Sequence, residues 1–156
     1  MNIYQDILLA KKTGKQLMAV LIDPEKIEIE RLPTLVKLIH LSIATHIFVG
    51  GSTDKNNCIE NVVIELKKAT SLPIIIFPGS ANQVSNKADG ILFLSLISGR
   101  NPEYLIEQQV QAAIQIKESN LEVLPTGYIL VDGGKESAVE RVSSSKPICQ
   151  TNSELI

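Results

Sequence analysis

Apolar positions along this chain fall into two alternating rhythms. Short β-branched or apolar runs are each followed by a polar or glycine-rich turn, and then by a stretch with helical spacing. An opening helix, roughly Asn2 to Lys12, leads through Gly14 into a first strand from Leu17 to Ile22, which ends at Asp23-Pro24. A helix follows from about Ile27 to Leu41. A second strand, about Thr45 to Val49, ends in Gly50-Gly51-Ser52-Thr53, and Asn56 to Ala69 reads as the next helix. Pro73 to Phe77 is the third strand, closed by Pro78-Gly79. Asp89 to Leu96 gives a fourth, Asn101-Pro102 opens a long helix to about Ser119, and Glu122 to Val131 gives a fifth strand.

Strands separated by helices, in order, specify a parallel sheet, because a parallel pair needs a crossover connection and the crossover is right-handed. The near-continuous apolar run Pro73-Ile74-Ile75-Ile76-Phe77 suits a strand buried on both faces. The fold class is α/β. The alternation fits two architectures equally, an open doubly wound sheet of the flavodoxin-like kind and an arc of a (β/α)8 TIM barrel. After strand 5 come Gly133-Gly134-Lys135 and a polar segment, and Asn152-Ser153-Glu154-Leu155-Ile156 reads as a helix cap and first turn. No repeat, low-complexity tract or Pro/Ser-rich linker divides the sequence, so residues 1–156 read as a single domain.

Composition narrows the class. With 44% apolar and 21% charged residues the chain can bury a core, which excludes disordered and collagen-like classes. The net charge of −2, without a basic cluster, lacks the field that nucleic-acid binders use, so no nucleic-acid partner is expected. Cys58 and Cys149 sit far apart with no CxxC or Cys/His spacing, which argues against a disulfide framework or a zinc site and fits a reducing cytoplasm. The N-terminus lacks the pattern of a secretory signal, and no apolar run approaches the roughly 20 residues of a membrane span.

In either architecture function gathers at the C-terminal ends of the strands. Strand 1 places Asp23 there, stiffened by Pro24. Strand 2 places Gly50-Gly51, where a ligand can approach the backbone, with the Ser52 hydroxyl alongside. One carboxylate and one hydroxyl are too few to hold magnesium alone, but Mg2+ keeps waters and takes further oxygens from substrate phosphates, which a diphosphate would supply. Asp23 also reads as a helix cap or turn residue, and a double glycine as a plain turn.

Taken together, four motifs become specific: Leu-Ile-Asp-Pro-Glu-Lys at 21–26, Val-Gly-Gly-Ser at 49–52, Phe-Pro-Gly-Ser at 77–80 and Leu-Ser-Leu-Ile-Ser-Gly-Arg-Asn-Pro at 94–102. With Pro-Thr-Gly-Tyr-Ile-Leu-Val at 125–131, this ordered set resembles the geranylgeranylglyceryl phosphate synthase family throughout the chain. The resemblance implies a (β/α)8 barrel and a Mg2+-dependent transfer of a prenyl group from its diphosphate to the 3-hydroxyl of sn-glycerol 1-phosphate, forming an ether lipid precursor. Asp23 and Ser52 correspond to the magnesium ligands. Related bacterial heptaprenyl enzymes have lysine two residues before this aspartate; Leu21 stands there, which favours the geranylgeranyl type. A homo-oligomer, touching membranes peripherally through its lipid substrate, is also implied.

The family's general base is a glutamate in a Tyr-Leu-Glu-Ala-Gly-Ser-Gly motif on strand 6, and its glycerol phosphate rests on loops after strands 6 to 8. None of those motifs occurs here, so no catalytic residue is assigned. A complete barrel takes about 200 residues or more. The expectation is therefore a barrel truncated after strand 5, without turnover by itself. Phe77 and Tyr128 are candidates to line the prenyl groove, and Arg100 to touch diphosphate; core packing and a solvated loop are the plain alternatives. His40 and His46 read as surface or turn residues, Cys58 as helix packing, and Gly133-Gly134-Lys135 as a turn without P-loop spacing. Competing readings are another phosphate-handling barrel, such as a sugar phosphate isomerase or aldolase, and a non-enzymatic half-barrel that associates through open strand edges.

Overall fold

The computed structural model describes residues 2–51 and 58–155. Helix α1 spans Ile3–Thr13, with the Asn2 side chain accepting from Gln5 N and Gly14 closing it. Strand β1 is Ala19–Ile22, followed by a 3-10 turn at Ile29–Arg31 and helix α2 at Leu32–His40. The helix starts later than its apolar periodicity predicts, because Pro33 has no N–H to donate and is tolerated only in a first turn. Strand β2 is His46–Val49, α3 is Cys58–Ala69, β3 is Ile74–Ile76 and β4 is Gly90–Ser95. A π-helical turn, Glu103–Glu107, leads into α4, Gln108–Lys117.

Strand β5 is Glu122–Gly127, shorter than the run to Val131. Its ladder to β4 closes with Tyr128 N donating to Ser95 O at 2.8 Å, and Val131 instead forms a parallel bridge with Ile148. Between them lies α5, Ala138–Ser143, in the segment read as merely polar. Ser137 and Glu140 close a capping box there, so its start is written in the S-x-x-E spacing. Residues Ser153–Leu155 form a 3-10 turn.

All five strands are parallel, in the order β1-β2-β3-β4-β5. That order decides the architecture. A doubly wound sheet reverses direction at a switch point, whereas sequential strands with right-handed crossovers put every crossover helix on one side and form an arc of a (β/α) barrel. The packing agrees: Leu32, Val36 and Ile39 of α2, Val62, Val63 and Leu66 of α3, and Ala112 and Ile116 of α4 share one core with Ile47, Ile74 and Ile76. Side chains of the intervening register, Ile75, Leu92 and Leu124, face the other way and meet Ile3 of α1. The flavodoxin-like alternative is thereby excluded. Helix α1 plugs the N-terminal end of this inner face, tethered where the Glu122 carboxylate accepts from Ile3 N and Tyr4 N at 2.7 Å each.

Candidate active site at the mouth of the sheet

The C-terminal strand ends converge because their register is tight: Leu21 pairs with Phe48 and Phe48 with Ile75, so β1, β2 and β3 finish level. Asp23 follows β1 directly. Its Oδ1 accepts from Glu25 N at 3.1 Å and its Oδ2 from Lys26 Nζ at 2.6 Å. The carboxylate is a quarter exposed and the Lys26 side chain 82% exposed, so the pair is weak and a cation can compete for the oxygens. The Lys26 ammonium is held above its ordinary pKa by this hydrogen bond and by the Asp23 charge.

The carboxylate lies over β2's glycines. A Cβ on Gly51 would stand 3.1 Å from Asp23 Oδ1, and one on Gly50 only 1.9 Å from the backbone oxygen of Phe77. Only glycine lets the β2 and β3 ends approach so closely. Gln83, almost fully buried, ties the same two ends together: it accepts from Gly79 N at 2.7 Å and donates to Gly51 O at 3.2 Å. Nothing in the sequence around Gln83 marks it, since its role depends on which backbone groups the fold places beside it.

Beside this polar corner opens an apolar cavity of about 200 Å³. Leu21, Gly51, Phe77 and Tyr128 line its mouth, and Ile91 and Ile116 extend it between β4 and α4. Phe77 is packed between two rings, with centroids 5.9 Å from Phe48 and 5.8 Å from Tyr128, the latter edge-on. Burial raises the Tyr128 pKa, keeping its hydroxyl neutral. The arrangement can therefore hold a long apolar ligand whose charged end lies at Asp23.

Residues 11–156 match the PcrB family. The chain belongs to that family.

Curated relatives point to one enzyme name. Geranylgeranylglyceryl phosphate synthase of Flavobacterium johnsoniae is 56% identical over 154 residues, covering 99% of this chain and 63% of its own length. The protein of that name from Pyrococcus abyssi is 38% identical, covering 88% of this chain and 54% of its own. Among solved structures, (S)-3-O-geranylgeranylglyceryl phosphate synthase from Thermoplasma acidophilum, in complex with its substrate sn-glycerol-1-phosphate, matches with a TM-score of 0.90 at 31% identity, covering 99% of this chain and 62% of that one. This PcrB-family chain thus spans less than two thirds of the length of these relatives.

Within it, the structure brings Asp23, Phe77 and Tyr128 to one mouth. Ser52 lies outside the described residues. Arg100 is not among the cavity's lining residues; its guanidinium donates back to Gly99 O at 2.6 Å and the side chain is exposed. Asp132 Oδ1 accepts from Gly134 N at 2.7 Å, and Gly134 has φ +80°, so the double glycine after strand 5 forms a local turn. His40 bonds Thr70 Oγ1 at 2.9 Å on the surface. His46, expected at a surface or turn, is instead 8% exposed and starts β2, where burial lowers its pKa. Neither Cys58 nor Cys149 is in a disulfide. Among the described residues no helix is long and apolar enough to cross a membrane.

Proposed function

We propose that this chain forms the prenyl diphosphate half of a geranylgeranylglyceryl phosphate synthase, a transferase that moves a geranylgeranyl or similar group from its diphosphate to sn-glycerol 1-phosphate. The observation that carries the reading is an apolar cavity whose mouth is flanked by the accessible carboxylate of Asp23 on a glycine floor. A sugar phosphate isomerase or aldolase has no use for such an apolar slot beside its charged site. The names of the relatives and the substrate bound in the Thermoplasma enzyme support the same reading.

The reaction breaks the bond between the allylic carbon and diphosphate oxygen, forms an ether bond from the glycerol 3-hydroxyl to that carbon, and releases diphosphate and a proton. The cavity walls align the chain and keep water from the allylic carbon. The rings of Phe77 and Tyr128 at the mouth offer negative π faces and a neutral hydroxyl to the positive charge that develops there. Asp23 supplies hard carboxylate oxygens at the mouth, held by contacts that an exposed lysine yields readily, and this suits Mg2+. Asp23, with Ser52 by resemblance, would hold that ion, which when bound neutralises the departing diphosphate. Homo-oligomerisation and membrane contact through the lipid substrate belong to the same proposal.

Equilibrium dialysis of the chain with radiolabelled geranylgeranyl diphosphate tests it. Binding is expected to need Mg2+ and to weaken at least tenfold in Asp23→Asn, with no ether product when glycerol phosphate is added. Failure to bind any prenyl diphosphate refutes the reading; ether product from these residues alone refutes the expected lack of turnover.

A further inference from the structure

The floor beneath Asp23 is held by a side chain where the sheet gives out. Gly50 N closes the β1 to β2 ladder by donating to Ile22 O at 3.1 Å. Beyond it, the Gly51 carbonyl accepts from Gln83 Nε2 at 3.2 Å, and Gln83 Oε1 accepts from Gly79 N at 2.7 Å. One partner is an acceptor and the other a donor, so a single orientation of the amide satisfies both. Gln83 is 3% exposed, and its own N–H donates to Ser80 O at 3.1 Å, which fixes the loop after β3 that delivers it. The Gly51 carbonyl therefore points into the protein and away from the mouth.

The Asp23 carboxylate rests on that glycine. From the place a Gly51 Cβ would take, Asp23 Oδ1, Cγ and Oδ2 lie at 3.1, 3.2 and 3.3 Å. Near-equal distances to all three atoms set the carboxylate face-on to Gly51, so its plane follows the position of the glycine. Its bonds to Glu25 N and to the exposed Lys26 ammonium belong to its own turn, and it is Gly51 that relates its orientation to β2. Glycine is the residue with the widest backbone freedom, so an untethered Gly51 moves. Mg2+ demands near-ideal octahedral geometry and tolerates little displacement of a ligand.

Building on the prenyl diphosphate reading, we propose that Gln83 is a positioning residue: by fixing Gly51 it sets the plane of the Asp23 carboxylate, and with it the affinity of the mouth for Mg2+ and diphosphate together. Gln83 does not line the cavity and acts only through Gly51.

The test is dissociation constants, with Mg2+, for geranylgeranyl diphosphate and for geranylgeraniol, which has the hydrocarbon without the diphosphate. They are measured on the unaltered chain, Gln83→Met, Asp23→Asn and the double variant, with circular dichroism to establish folding. Expected is about tenfold weaker diphosphate binding in Gln83→Met, the order of one lost hydrogen bond, with geranylgeraniol unchanged. In the Asp23→Asn background the same substitution should change diphosphate binding by less than about twofold, because residues that act as a unit are non-additive. A general loosening of the fold would instead weaken both ligands and add to the effect of Asp23→Asn. A second arm leaves Gln83 in place and decides even where Gln83→Met does not fold. Adding Mg2+ and inorganic diphosphate to the isotope-labelled chain should shift the Gln83 side-chain amide resonances, and should leave them unmoved in Asp23→Asn. In a folded Gln83→Met, unchanged diphosphate binding, an equal loss for geranylgeraniol or full additivity overturns the proposal while leaving the function reading intact, as do unmoved Gln83 resonances in the unaltered chain. Binding of no prenyl diphosphate by the unaltered chain overturns both.

Discussion

His46 carries a cost that its neighbours do not offset. It is buried at the start of β2 with Thr45 Oγ1 2.8 Å from Nδ1. Burial lowers its pKa from the ordinary 6.5; the Asp6 charge raises it and Lys15 lowers it, both by less. The folded state therefore binds fewer protons than the unfolded state just below pH 6.5, and stability rises with pH through that window. It is complete above the unfolded value and is lost as pH falls toward the folded one. Urea unfolding at pH 7.5 and 5.5 is expected to show a lower midpoint at the acidic pH, and His46→Leu a smaller difference between the two. An equal difference in the variant assigns the acid sensitivity elsewhere. At this scale sequence is informative where a residue's own backbone needs are unusual. Asp23-Pro24 and Gly50-Gly51 announce a strand end and a close approach. Glutamine carries no such mark, so Gln83 becomes visible only with the backbone groups beside it.

Among the elements, α1 depends most on a single distant side chain. Its first N–H groups have no partners within the helix, and the Glu122 carboxylate of β5 accepts from two of them across 119 and 118 residues. The anion also complements the helix's positive end. Glu122→Ala should cost about 2 kcal/mol, the order of a pair of partly exposed charged hydrogen bonds. Hydrogen exchange should localise the loosening to α1 and to Ile3's contacts with Ile75 and Leu92. A global loss with α1 still protected would contradict this anchoring role. Such long-range capping cannot be read from spacing. Local capping can, and the Ser137 to Glu140 box over α5 was present in the sequence although the segment read as polar loop. Strand β5 ends at Gly127 rather than Val131 for a tertiary reason, since its continuation leaves β4 and takes Ile148 as partner.

For the whole molecule, alternation of strands and helices predicted the sheet but not its closure sense, because the same rhythm serves open and coiled sheets until strand order is known. That order leaves β1 and β5 at opposite edges, each hydrogen-bonded to one neighbour among the described residues. Edge backbones pair with what is available, and barrels remove the hazard by closing. The inner face adds apolar surface at the β1 edge, where Leu21 is 53% exposed, and β5 bears Val123 at 40%. Pro125, exposed on β5 in register with Phe93, lacks an N–H and so weakens that edge as a pairing surface. Association is thus expected to run chiefly through β1. Light scattering after size exclusion should give a mass at least twice the 17.1 kDa of one chain at micromolar concentration. Leu21→Lys, which puts a charge on the exposed face of that edge, should return it toward one chain without changing the far-ultraviolet circular dichroism. A single-chain mass for the unaltered protein would show that β1 does not act as an open edge.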